Sequence, residues 1–358
     1  MKKKRASIIL LLVLSFLMVT LPNVGIVKAE STIYIRADGS VEGTDTIQRD
    51  GNVYTFLGNI SIDVSGIDGI IIERDNIVID GAGYHLEHLE EPTGRTSEDG
   101  IFVQSQNNVT ITNITIHNFL YGISVKESSN ITITKTNITN NHGGISLSDS
   151  NNNSIIDNQI INNNSGIELH RSENNKVDVN NITANSPYGI QIVYSSENIV
   201  SNNYIAKSWM GIYINYGGGN QIFGNTITEN NGWGIQLSSS NSSQNNNIIY
   251  HNNFINNVVS EGLQVSNPWY FGPESNMWDN GKEGNYWSDY TTRYPNATEI
   301  DNSGIWDTPF FINEYNIDRY PIMEPVPVIP EFPSWIILPL FLTATLFGFL
   351  VRKRLMRT

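Results

Sequence analysis

Residues 122–141 read GISVKESSNITITKTNITNN, a stretch rich in Asn, Ser and Thr and poor in large side chains. Such composition usually accompanies disorder, yet its aliphatic residues recur too regularly for that. Gly122 is followed by Ile123 and Val125 with a polar residue between them, then by a polar corner. The same phrase returns along the chain. Gly100, Gly122, Gly144, Gly166, Gly189, Gly211, Gly234 and Gly262 each open a similar segment, at spacings of 22, 22, 22, 23, 22, 23 and 28 residues. The first and third residues after each Gly are aliphatic, from Ile101 and Val103 to Leu263 and Val265. Period-two alternation of this kind marks a strand with one buried face.

Polar corners repeat in step. Asn108, Asn130, Asn153, Asn175, Asn198, Asn220 and Asn247 form one column. Asn113, Lys135, Asn158, Asn180, Asn203, Asn225 and Asn252 form a second, and Asn118, Asn140, Asn163, Asn185, Ser208, Asn230 and Asn257 a third. Three corners per unit imply three short strands per coil. The β-branched residues and the missing 3.6-residue period exclude a helical repeat. The predicted fold is all-β: a parallel β-helix of about 22 residues per coil, in which stacking supplies the core that one coil lacks. At about 4.8 Å per coil, the eight Gly-led coils span roughly 40 Å. Asn at the corners is expected to accept left-handed φ while its amide bonds to the next coil.

The chain has no Cys, so disulfides and thiolate metal sites are excluded. Residues 1–29 hold five basic and no acidic residues, and residues 332–358 four basic and no acidic ones. Between them remain 12 basic and 35 acidic residues, net −23. That body lacks the basic footprint needed for nucleic acid. MKKKR followed by an apolar run ending near Ala29 reads as a signal peptide over residues 1–29. WIILPLFLTATLFGFLV (335–351), followed by RKRLMR, reads as a transmembrane anchor with a cytoplasmic basic tail, 352–358. The β-helix with its N-terminal cap is assigned to 30–267, an aromatic-rich C-terminal cap region to 268–324 and a Pro-rich linker to 325–334. The expected location is extracytoplasmic, at the cell membrane.

NIVIDGAGYHL (76–86), GNYWSDY (284–290), DTPF (307–310) and DRYPIM (318–323) resemble the NosD-like parallel β-helix family, and PEFPSWIILPLFL with its basic end resembles archaeal surface-protein anchors. The resemblance implies right-handed winding and, for the bacterial family, periplasmic copper delivery.

Several candidate sites follow from the residues. His85 and His88, beside Glu87, Glu90 and Glu91, are the only clustered imidazoles for copper or another transition metal; a polar strand edge is the alternative. Asp301, Asn302 and Asp307, with Gly304, suit a calcium loop or a β-turn. Tyr188, Tyr194, Trp209, Tyr213, Tyr216 and Trp233, with Gln191 and Gln236, cluster over three coils and suit sugar faces; ring stacking that merely stiffens the coils is the alternative. Glu127, Asp149 and Arg171 form a charge column, with Glu168 and His170 close by, and are the catalytic candidates for a polysaccharide lyase or hydrolase. Ten Asn-x-Ser/Thr sequons occur; Asn59, Asn241 and Asn296 are the best placed for glycosylation. The expected role is structural or adhesive at the envelope, through glycan binding, with a carbohydrate-active enzyme next and copper handling third.

Overall fold

Ile101, Ile123, Ile145, Ile167, Ile190, Ile212 and Ile235 are register partners in successive parallel strands. Each is fully buried. The computed structural model describes residues 27–90, 98–238, 246–257, 262–266 and 276–327. Within them the chain winds as a parallel β-solenoid of about eight turns, close to 23 residues each, through three sheets of 11, 11 and 10 strands. One coil runs from Tyr121–Lys126 in the second sheet, to Thr132–Thr134 in the third, to Asn137–Thr139 in the first, and then to Gly143–Ser148, directly beside its start. The core is a set of aliphatic stacks, with Val125, Leu147 and Leu169 beside the Ile column. Each buried Ile adds about 2–3 kcal/mol of apolar burial.

The expected corners are divided between two neighbouring columns. Asn108, Asn113, Asn118, Asn130, Lys135 and Asn140 are the left-handed residues, with φ of 53° to 64°. The inward position is the next residue: Val109, Ile114 and Phe119 in the first of these coils, then Ile131, Thr136 and Asn141. From Asn153 onward the inward position is Asn at every corner but that of Ser208, and the left-handed place before it falls to Asn152, Asp157 and Asn162, then to Asn174, Val179 and Ala184. The two roles assigned to one Asn are therefore played by adjacent residues. The inward amides form buried ladders. Asn153 N–H donates to Asn175 Oδ1 at 2.8 Å, Asn175 N–H to Asn198 Oδ1 at 2.9 Å, and Asn198 N–H to Asn220 Oδ1 at 2.9 Å. Their side-chain N–H groups donate to carbonyls of the preceding coil, as Asn180 does to Ile155 O at 2.9 Å. Backbone groups at these corners, which no strand partners, are thereby satisfied.

The Gly262 register also differs from expectation. Val265 pairs with Ile235, and Gly234 N–H donates to Gln264 O, so Gln264 occupies the glycine position. Gly262 is a turn residue with φ of 76°. Gln264 Oε1 extends the third ladder by accepting from Asn257 N–H at 3.2 Å.

That ladder has one flaw. Ser208 stands where its neighbours are Asn185 and Asn230, and its buried Oγ has no hydrogen-bond partner. Ser208→Asn is expected to restore the missing rung and raise stability by about 1 kcal/mol. Thermal unfolding of the full chain measures it, and a melting temperature unchanged or lowered would show that the column is not continuous there.

Val27–Ala29 pairs with Ile60–Ile62 and Ala29 is buried, so a cut after Ala29 would remove that strand. Residues 276–326 carry the stack onward. Asn276 and Asn285 take the next rungs of two ladders, and Asn316 and Asp318 follow them. Trp287 lies on Phe254 at 4.5 Å and on Phe310 at 4.0 Å between ring centroids, closing the aliphatic core with aromatics. Asp318 ends its ladder: Oδ2 accepts from Asn285 N–H at 2.7 Å and Trp287 Nε1–H at 2.9 Å. Burial pushes its carboxyl up to about 7, against the pull of those donors. At the last described residues, Asn253 grips the Val326 backbone from both sides, accepting from its N–H and donating to its carbonyl, each at 2.8 Å. Among the described residues no helix is long and apolar enough to cross a membrane; the expected segment 335–351 lies outside them.

Candidate functional site

Besides a column at the strand ends (Gln104, Lys126, Ser148, His170, Val193, Asn215 and Ser238), the strands of the second sheet present two outward columns nearer their starts. One is the residue before each glycine: Asp99, Tyr121, Gly143, Ser165, Tyr188, Met210 and Trp233. The other lies three residues further on: Phe102, Ser124, Ser146, Glu168, Gln191, Tyr213 and Gln236. Each glycine and the Ile after it both face the core, which interrupts the alternation, so the two columns share the outer side, as the Tyr121–Glu168 bond and the Tyr188–Tyr213 stack show.

Tyr121 crosses this surface. A Cβ on Gly143 would run into its ring, so the glycine lets the ring lie flat across one coil, and Tyr121 Oη–H donates to Glu168 at 3.2 Å. Burial, then the Glu168 carboxylate, raise the phenol well above its ordinary range. At the near end Asp99 is 5% exposed, and its N–H donates to Asp68 Oδ1 at 2.8 Å. Burial first, then Asp68, push the Asp99 carboxyl up to about 7, while the Ser124 hydroxyl and the Tyr121 N–H act the other way. At the far end Tyr188 and Tyr213 stack at 5.0 Å. Five buried side-chain polar atoms among the described residues lack a hydrogen-bond partner, and three of them belong to this face: Asp99 Oδ1, Ser165 Oγ and Gln236 Oε1.

The aromatic candidates fall into separate groups. Tyr188, Tyr213 and the half-buried Trp233 lie on the strand face with Gln191 and Gln236, and Trp209 is exposed at the corner before the strand. Tyr194 and Tyr216 stack at 4.9 Å at the opposite corner. There they prolong the catalytic candidates' column, in which Glu127, Asp149, Arg171, Tyr194 and Tyr216 all have φ between 48° and 54°. Arg171 Nε donates to Asp149 Oδ1 at 2.9 Å, and both side chains are well exposed. Such a pair is worth about 0–1 kcal/mol. His170 meets the edge of Tyr194 at 6.0 Å, whereas Glu168 belongs to the Tyr121 group. Asp99 and Tyr121 were missed by sequence reasoning; each precedes a repeat glycine, and the residue type at that position varies from coil to coil.

His85 and His88 do not converge: His85 is exposed, and His88 is buried with its ring nitrogens against Glu90 O and Val64 O at 2.9 and 3.1 Å. His85 instead meets the His117 ring at 6.0 Å, and His117 Nε2 lies 3.3 Å from Glu87. Glu91 lies outside the described residues. Asp307 accepts from Thr298 N–H and Oγ1 and from Thr308 Oγ1, which hold it below its ordinary range and close a hairpin with Asp301 and Asn302 at its exposed tip. Among the described residues no group of three or more His, Asp or Glu side chains is arranged to hold a metal. Asn59 Oδ1 accepts from His85 N–H, Asn296 is exposed, and Asn241 lies outside the described residues.

A family described as "Periplasmic copper-binding protein (NosD)" matches residues 49–292, over half of the 358 residues. The chain belongs to the NosD family. No curated protein matches it by sequence. Among solved structures, this NosD-family chain is similar to the Dettilon tailspike protein, with TM-score 0.54, 17% identity and coverage of 73% of this chain and 59% of that one. It is similar also to the enzymatically active domain of bacteriophage CBA120 tailspike protein 2, with TM-score 0.50, 12% identity and coverage of 81% and 52%. The chain thus spans little more than half of either tailspike, and at such identity the likeness is one of fold. For the copper named in the NosD description, no three side chains among the described residues are arranged as ligands: His85 and His117 meet beside Glu87, and His88 is held by backbone carbonyls.

Proposed function

We propose that the chain is an extracytoplasmic glycan-binding protein, held at the cell surface by its C-terminal apolar segment, and that the outward face of the second sheet is its binding surface. The observation that carries this reading is the Tyr188–Tyr213 stack on that face, with the neutral side chains Gln191 and Gln236 at the same outward register. Stacked rings suit the apolar side of a sugar, and the neutral amides beside them can both donate to and accept from its hydroxyls.

Binding is favoured over hydrolysis. Asp99 and Glu168 start three coils apart, about 14 Å along the stack. A glycosidase needs its two carboxyls about 5–9.5 Å apart with the scissile bond between them, and here the Tyr121 ring occupies the gap.

The test is affinity electrophoresis of the full chain against a panel of polysaccharides. Tyr213→Ala and Tyr188→Ala are each expected to weaken retention about tenfold, from ring contacts worth about 1–1.5 kcal/mol. Glu127→Ala, at the far corner, is expected to leave it unchanged. Retention of no polysaccharide by the wild-type chain, or equal loss in all three variants, would overturn the reading.

A further inference from the structure

We infer that this face selects uncharged glycans and rejects uronate-bearing ones, a conclusion that rests on the glycan-binding reading. In the two outward columns nearer the strand starts, every charged side chain is a carboxylate. Glu168 is central, oriented by the Tyr121 hydroxyl at 3.2 Å, and Asp99 lies buried at one end with Oδ1 unpartnered. The remaining polar groups, Ser165, Gln191 and Gln236 among them, are neutral and suit hydroxyl partners in either direction.

The nearest cationic side chains, Lys126 and Arg171, stand in or just past the strand-end column, which also holds His170, and both are paired with carboxylates. Lys126 lies 3.9 Å from Glu127, and Arg171 is bonded to Asp149. A sugar carboxylate laid along the strip would approach Glu168 with no cation in these two columns to receive it, Lys126 at the strand end being paired with Glu127. Two like charges so placed in a partly desolvated surface repel strongly, and a charge desolvated without a partner is costly. The body of the chain, net −23 between residues 30 and 331, repels polyanions at longer range as well. A hydroxymethyl group in place of the carboxylate meets neither obstacle.

Matched pairs isolate the charge. Polygalacturonate, alginate and hyaluronan are each compared with their carboxyl-reduced counterparts on the full chain at low salt. In any pair that binds, the reduced polymer is expected to be retained at least tenfold more strongly. Raising salt to 0.5 M is expected to narrow that ratio by screening, and Glu168→Gln combined with Asp99→Asn to narrow it at least threefold. The salt arm uses the unaltered chain and stands if the double variant fails to fold. Equal retention within the pairs, or preference for the acidic member, would overturn the charge selection while leaving glycan binding intact. Retention of neither member of any pair would remove the glycan-binding reading, and this inference with it.

Discussion

Replacing Asn180 with Leu, a residue of similar size, is expected to cost about 3–5 kcal/mol. Its side chain takes part in five hydrogen bonds inside the solenoid. Nδ2 donates to Ile155 O, Asp178 O and Asn203 Oδ1 at 2.9 to 3.0 Å, and Oδ1 accepts from Asn158 N–H and Nδ2 at 3.0 and 2.9 Å. Leu fills the volume but bonds none of these groups, and the Asn158 backbone N–H is left buried and orphaned. The neighbour gives the opposite sign. Val179 holds φ of 57°, a strained conformation for a β-branched residue. Val179→Asn is expected to gain about 1 kcal/mol, because Asn accepts left-handed backbone. Urea unfolding of both variants followed by circular dichroism makes the comparison. Similar effects at the two positions would mean that the buried and left-handed columns have been assigned the wrong way round.

The second large effect concerns the glycine column. Gly211 is not in a left-handed conformation, so its need is spatial. A Cβ there would sit 2.5 Å from the Gly234 carbonyl oxygen, 2.9 Å from Ile227 Cγ2 and 3.0 Å from Asn230 Nδ2. The first contact is backbone and cannot swing aside. Gly211→Ala is therefore expected to force the adjoining coils apart and to cost about 3 kcal/mol, at the upper end for overpacking. Thermal unfolding checks this, and a melting temperature within a degree or two of the parent would show that the coils have slack. Gly122, Gly144, Gly166 and Gly189 meet the next coil's glycine carbonyl in the same way, which accounts for the regular recurrence of Gly.

That regularity made the architecture readable before any coordinates. The period near 22 and the Ile-x-Val alternation carry enough information to set the number of strands per coil and the inward face. The one-residue displacement at the corners was not readable, because the same residue type serves two ends. Asn108 is used for its tolerance of positive φ and Asn153 for its amide, and only the pairing of Asn130 with Asn152 separates them. In the early coils Val109 and Ile131 hold the inward place, so no amide marks it. The Asp99–Tyr121–Glu168 group escaped for another reason. Its members come from three coils, and Tyr121 reaches Glu168 only by passing over Gly143, a long-range contact that spacing does not encode. The aromatic cluster was visible as composition, but its separation into a strand-face group and a corner group depends on which residues terminate each strand.

The grip of Asn253 on Val326 has a mechanical consequence. Tension arriving along the chain from beyond Val326 meets that amide before it reaches the Phe310–Phe311 hairpin or the aromatic plug. Two parallel bonds share the load and hand it to a strand already braced on both sides by Thr226–Thr228 and Tyr286–Trp287. A pull from that end is thus met first by a strand one coil inward of Tyr286–Trp287.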